Sequence, residues 1–239
     1  MFLTFPEYYL PIEWLHLLIE FSRKAGIIIV TGLKPYMVGK KVCNFQAVIV
    51  PFKDTYEHKE SMVFIREKNN YAPLDKQTIH DTNPGFYCTD PKVPTYIVFN
   101  NGKISFSSLI CFELTDVNAR SMLKNRADIV IASEYNQDIY YFSNIVESTA
   151  RDLGAFIVQV NSSNFGDSRI VAPYRDKYKE IVNITGGTRD STHIGIIDLK
   201  EYKDYLKEYF KCDKSCDYRV LEADKYIKFK KPSARIKQK

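Results

Sequence analysis

Short apolar runs recur along this chain, each followed by a polar turn or by a segment of helical period, and this alternation most limits the fold. Met1 to Phe5 is a first apolar strand, ending at Pro6-Glu7. Pro11 then opens an amphipathic helix in which Ile12, Leu15, Leu18 and Phe21 share a face, with Gly26 as its stop. Ile27 to Val30, Phe45 to Phe52 and Met62 to Arg66 read as strands. Asn69 to Pro94 is rich in turn formers and reads as a long loop, of the kind that in compact domains is usually functional. Tyr96 to Phe99, Asn100-Asn101-Gly102 and Ile104 to Ile110 carry a hairpin signature.

The second half continues the pattern. Thr115 and Asp116 are placed to cap a helix running to Asn125, and Asp128 to Ala132 is a buried-type strand. Tyr140 to Leu153 is a long helix stopped by Gly154, and Phe156 to Val160 is the next strand. Ser168 to Val171, Tyr178 to Ile184 and His193 to Leu199 read as strands, and Lys200 to Phe210 as a last helix. Strands with helices between them predict one layered α/β domain over 1–210, followed by a basic tail over 211–239.

Composition excludes several classes. With 45% hydrophobic and 26% charged residues in 239, the chain is neither disordered nor collagenous. No apolar run approaches the roughly 20 residues that span a bilayer. The N-terminal residues lack a basic segment before the first apolar run, so no membrane partner and a cytoplasmic location are expected. Net charge is +5, concentrated in Lys225, Lys228, Lys230, Lys231, Arg235, Lys237 and Lys239. Contact with nucleic acid is expected only through that tail or a fused domain.

Five cysteines, an odd number without zinc-finger spacing, point to free thiols in a reducing compartment and to no metal site. A nucleophilic thiol needs a base, a field that stabilises the thiolate and donors for an oxyanion. Cys111 ends a buried strand and precedes a helix start, which suits that task better than Cys43 or Cys88 in irregular segments, or Cys212 and Cys216 near the tail. Glu7 and Lys68 each follow a strand in the same way. Taken singly, Cys111 reads as core filler and the two charges as solvated surface; together they describe one sheet edge. His16, His58, His80 and His193, the partners a Cys–His hydrolase needs, are not singled out by any such setting.

Phe5-Pro6-Glu7 with Pro11, Lys68 with Pro73, and Leu109-Ile110-Cys111-Phe112-Glu113, in this order, resemble the nitrilase (carbon–nitrogen hydrolase) superfamily. Ala127-Asp128-Ile129-Val130, Ala150-Arg151, Phe156 to Asn161 and Gly166-Asp167-Ser168-Arg169-Ile170 extend the resemblance over residues 3 to 200. It implies a four-layer α-β-β-α sandwich, commonly paired into homodimers through helices. It also implies Glu7 as general base, Cys111 as nucleophile, and Lys68 with the Phe112 N–H as oxyanion donors, without metal or organic cofactor. The thiol is then expected to titrate low, between Glu7 and Lys68.

The chain also departs from the family pattern. The family's additional Glu after the lysine corresponds to Asp75, one methylene shorter, with an expected part in positioning substrate. The family's strand and helix ahead of the glutamate are absent, which is expected to leave a sheet edge and an apolar groove exposed. Pocket shape is expected to come from Asn69 to Pro94 and from Glu134 to Ile139, with Glu134 and Asn136 facing the substrate. The function implied is hydrolysis of a small amide or carbamoyl compound through a cysteine thioester. The alternative is an inactive, nitrilase-like interaction or regulatory module of a larger polypeptide, such as a reverse-transcriptase fusion.

Overall fold

The computed structural model describes residues 1–174, 179–186 and 190–209; the 211–239 tail, with Cys212 and Cys216, lies outside the described residues. In chain order the elements are β1 (Phe2–Thr4), α1 (Leu15–Ala25), β2 (Ile28–Gly32), β3 (Tyr36–Val38), β4 (Lys41–Cys43), β5 (Phe45–Lys53), β6 (Lys59–Glu67) and α2 (Pro73–Thr82). They continue with β7 (Val98–Asn100), β8 (Ser105–Ile110), a 3-10 turn (Cys111–Thr115), α3 (Val117–Leu123), β9 (Ile129–Glu134), α4 (Ile139–Leu153), β10 (Phe156–Asn161), β11 (Ser168–Val171), β12 (Glu180–Ile184) and α5 (Leu199–Tyr209).

Two sheets stack at the centre. One has the order β1-β2-β5-β6, the other β12-β11-β10-β9-β8-β7, and β3 and β4 form a separate hairpin. Val30 and Val48 of the first sheet meet Phe106, Ile129, Ile131 and Phe156 of the second in a shared apolar layer. Outside it, α1 packs Leu15, Leu18 and Ile19 on Ile29, Ala47 and Ile49. On the far side, α4 lays Phe142, Val146 and Ala150 over Leu109, Val130, Ala132 and Ile157. This is the α-β-β-α sandwich that the resemblance implies, within the layered α/β class expected from the alternation. Residues 129 and 131 face the sheet partner and 130 and 132 face the helices, as the two-residue period of a strand requires.

Several local readings hold. Gly26 and Gly154 stop α1 and α4 at φ values of 68° and 63°, left-handed positions that glycine adopts without strain. Asp116 caps α3 by accepting from the Asn118 N–H. The Asn101 side chain accepts from the N–H groups of Lys103 and Ile104 and closes the β7–β8 hairpin.

Four readings need correction. The Asn69 to Pro94 segment is not all loop, because α2 lies within it; this helix buries no residue, so no apolar stripe announced it. Cys43, read as lying in an irregular segment, ends β4 of a short hairpin whose first strand is fully exposed, again without periodic signal. His193 to Leu199 joins no ladder, although Ile197 and Leu199 pack on the inter-sheet core, which explains their apolar spacing. Ile12, in a 3-10 turn ahead of α1, and Phe21 on it are exposed, and the buried face of α1 centres on Leu15 and Ser22. In the four-stranded sheet, β1, three residues long, is an edge strand.

Candidate active site

The carboxyl ends of β1, β6, β8 and β9 meet at one edge of the sandwich, and each delivers a functional group there. Beyond β1, Pro6 and Glu7 turn against β2. The Gly32 N–H donates to the Pro6 carbonyl at 3.1 Å, and the Glu7 N–H reaches the Glu134 carbonyl at 3.3 Å across to the second sheet. This approach depends on glycine, because a Cβ at Gly32 would stand 2.5 Å from the Glu7 Cα and 2.7 Å from the Pro6 oxygen. Gly32→Ala is therefore expected to push Glu7 out of position. Overpacking of this kind costs about 1–3 kcal/mol, and the check is a lowered melting temperature together with lost activity.

Glu7 and Lys68 form a buried ion pair, Nζ to Oε1 2.9 Å, with both side chains about 1% exposed. The same ammonium reaches Asp75 Oδ2 at 3.0 Å. Asp75 stands in the first turn of α2, where Oδ2 also accepts from the Ala72 N–H at 3.2 Å. Asp75 thus holds the lysine. Asn44, which the sequence reading did not single out, completes the cradle: its amide donates to Glu7 Oε1 at 2.6 Å, and its carbonyl accepts from the Lys68 N–H at 2.8 Å. The Tyr71 hydroxyl in turn accepts from the Asn44 N–H at 2.8 Å. The second carboxylate oxygen, Oε2, takes the Tyr135 N–H at 3.1 Å.

Cys111 begins the 3-10 turn that follows β8 and has φ 45°. A residue with a Cβ in that region stores about 1–3 kcal/mol of strain, which persists where surrounding structure enforces it and clusters at functional sites. Tyr8 and Asp167, at φ 59° and 62°, share the conformation; Tyr8 directly follows Glu7. The enforcement at Cys111 comes from Glu113, whose buried carboxylate accepts from the Ile110 N–H at 2.8 Å, from the Asn69 N–H, and from both terminal nitrogens of Arg66 at 2.7 and 2.8 Å. One side chain therefore ties the cysteine turn to the strand end that carries Lys68. Phe112 stands in the first turn after Cys111, where N–H groups lack acceptors within the turn.

The electrostatics correct one expectation. Burial pushes the Cys111 thiol well up; the Glu7 charge adds to this, Lys68 opposes it, and Glu134 adds to it again. The resting sulfur is therefore a protonated thiol and not the low-titrating group expected from the sequence. Burial also raises the Glu7 carboxyl, against the pull of Lys68 and Asn44. For Lys68, burial works to discharge the amine, but the Glu7 and Asp75 carboxylates reverse that and keep it an ammonium. The arrangement is a cation held among acids beside a neutral thiol with a base at hand.

The remaining candidates stand nearby. Glu134 ends β9 with its carboxyl fully buried against Gln159, and not on an open loop surface. The Asn136 N–H donates to the Asn161 side chain at 2.9 Å, and the Asn161 amide donates back to the Asn136 carbonyl at 2.8 Å, so Asn136 shapes the turn before α4. The four histidines are all exposed, and each bonds to a close neighbour in sequence. Among the described residues, no group of three His, Cys, Asp or Glu is placed to hold a metal ion, and no helix is long and apolar enough to cross a membrane.

The chain matches no protein-family model and no curated protein sequence. Its three-dimensional similarity is to solved amidase structures. A cysteine-to-alanine mutant of the Nesterenkonia AN1 amidase, from the nitrilase superfamily, superposes with a TM-score of 0.59 at 16% identity, covering 88% of this chain and 82% of that one. The corresponding cysteine-to-serine mutant gives 0.57 at 17% identity, over 78% and 75%. A glutamate-to-glutamine mutant of the amidase from Nesterenkonia sp. AN1, carrying the acetamide moiety of fluoroacetamide on its active-site cysteine, gives 0.55 at 15% identity, over 78% and 73%. The two-sheet architecture, the helix layers and these superpositions agree: this chain has a nitrilase-like fold.

Proposed function

We propose that the protein is a thiol amidohydrolase that cleaves the C–N bond of a small amide or carbamoyl compound. The observation that carries this reading is the buried Glu7–Lys68 pair at 2.9 Å, set at the same sheet edge as a cysteine held at φ 45°. The similarity to amidases that carry an active-site cysteine supports it.

In this reading Glu7 takes the thiol proton as the Cys111 Sγ attacks the carbonyl carbon. A C–S bond forms, and the carbonyl electrons move onto oxygen. Lys68 and the Phe112 N–H stabilise that oxyanion. Its collapse breaks the C–N bond, and Glu7 returns the proton to the departing nitrogen. Water then attacks the thioester while Glu7 accepts its proton. The second collapse breaks the C–S bond, releases the acid and restores the thiol. A protonated resting thiol suits this sequence, since the proton needed by the leaving amine is the one taken from sulfur.

Ammonia release from a panel of simple amides tests the proposal. Glu7→Gln and Lys68→Met are each expected to lower kcat/KM by about 10²–10⁴-fold, the usual weight of a positioned base or oxyanion donor. Turnover that survives both changes would reject the reading. The acid side of the pH profile gives a separate check. Glu7 must be ionised to accept a proton and its carboxyl is raised by burial. Activity should therefore fall about tenfold per pH unit as pH drops through that raised value, at a higher pH than an exposed glutamate would give.

A further inference from the structure

Glu134 is an acid that the mechanism above leaves unused, and it lies close behind the reacting groups. The parallel β8–β9 ladder pairs Ile110 with Ser133, so the next positions along the two strands are Cys111 and Glu134. On the other side, the β9–β10 ladder pairs Glu134 with Asn161. The Glu134 carbonyl accepts from the N–H groups of Glu7 and Ser162. Its side chain is 0% exposed; Oε2 accepts from the Gln159 amide at 2.8 Å, and Oε1 has no hydrogen-bond partner among the described residues.

The charged and titratable groups around it are few. Glu7 comes from the turn after β1, with Lys68 beyond it from the end of β6, and Cys111 from the 3-10 turn. Asp167 and Arg169 come from β11 and the turn before it, paired with each other, and Arg169 also donates to Ser143 of α4. From the other packed elements, Gln159 and Asn136 offer only neutral amides. No cation therefore faces the Glu134 carboxyl directly, since Lys68 is taken by Glu7 and Asp75, and Arg169 by Asp167. Burial pushes this carboxyl up to about 8, with Gln159 pulling against it and the charges of Glu7 and Asp167 adding to it.

We infer that Glu134 is a positioning residue of this site: an acid behind Glu7 and Cys111 whose bound proton keeps one further negative charge away from the sulfur. The inference rests on the amidohydrolase reading and deepens it. While Glu134 keeps its proton, a thiolate or an anionic tetrahedral species forms against the Glu7–Lys68–Asp75 cluster alone. Once Glu134 loses it, the same species forms against one further carboxylate, and the thiol is harder to ionise. The site is thereby limited on its alkaline side by a residue that touches neither substrate nor sulfur.

The test is the rate of iodoacetamide alkylation at Cys111, read by peptide mapping between pH 6 and 10, for the intact protein, Glu134→Gln and Gln159→Leu. Glu134→Gln keeps the side chain's size and hydrogen-bonding shape but cannot ionise. It is expected to match the parent within about twofold at pH 7 and to be alkylated about three- to tenfold faster at pH 9.5, the effect of a shift of half to one pKa unit. Gln159→Leu removes the donor that favours the charged form, so Glu134 should ionise at higher pH and the rate at pH 9.5 should fall between the other two. Superimposable profiles at every pH would overturn the inference, as would a uniform loss in Glu134→Gln, which is what a merely structural role gives. Failure of the parent protein to alkylate at Cys111 at all would instead reject the amidohydrolase reading, so the two failures are distinct.

Discussion

Cys111→Ala is expected to reduce amide turnover by at least about 10⁴-fold, while the protein stays folded. Removing a nucleophile eliminates the covalent route, and the remaining groups give only what positioning and the oxyanion donors supply. The structural effect is small by comparison. Cys111 is 9% exposed at the rim of the helix-side core, and alanine deletes one sulfur from it. The positive φ is retained, since the Glu113 bonds that impose it involve backbone and not the thiol. Steady-state ammonia release and a thermal melt, measured on the same preparation, check both halves. Residual turnover within tenfold of the parent would remove Cys111 from the mechanism.

Glu113→Ala carries the largest expected effect on stability. Glu113 is wholly buried, and Arg66 is 8% exposed. The change leaves a guanidinium without its carboxylate and the Ile110 and Asn69 N–H groups without an acceptor. Breaking a buried pair from one side typically costs about 3–5 kcal/mol. In a domain of this size that corresponds to a fall of about 6–20 °C in Tm. Arg66→Met combined with Glu113→Leu should recover part of the loss but not all, because the two N–H groups stay unpaired. Activity should drop further than stability in the double variant, since the same carboxylate fixes the cysteine turn relative to Lys68. A Tm within a degree or two of the parent for Glu113→Ala would contradict this account.

The layered architecture was legible because each strand and helix declares its period locally. Phe45 to Phe52, Ile129 to Ala132 and Tyr140 to Leu153 bury the residues their spacing predicts. Glu7, Lys68 and Cys111 could be placed at strand ends for the same reason. The groups that hold them could not. Asn44 bonds to Glu7 across 37 positions of sequence, Arg66 to Glu113 across 47 and Tyr135 to Glu7 across 128; no local pattern encodes such pairs. Helix α2 and the β3–β4 hairpin were missed because the helix buries no residue and the hairpin only Cys43, so neither shows an apolar period. The thiol's titration was misjudged because sequence supplies the nearby cation but not the depth of burial, and here burial is the larger influence.

Treating the folded protein with fluoroacetamide and mapping the product by mass spectrometry tests the central claim most directly, because it asks whether these elements assemble one reactive sulfur. The account predicts a single acetamide adduct on Cys111, with Cys43 and Cys88 unmodified and with labelling strongly reduced in Lys68→Met. No adduct, or modification spread evenly over the cysteines, would contradict it.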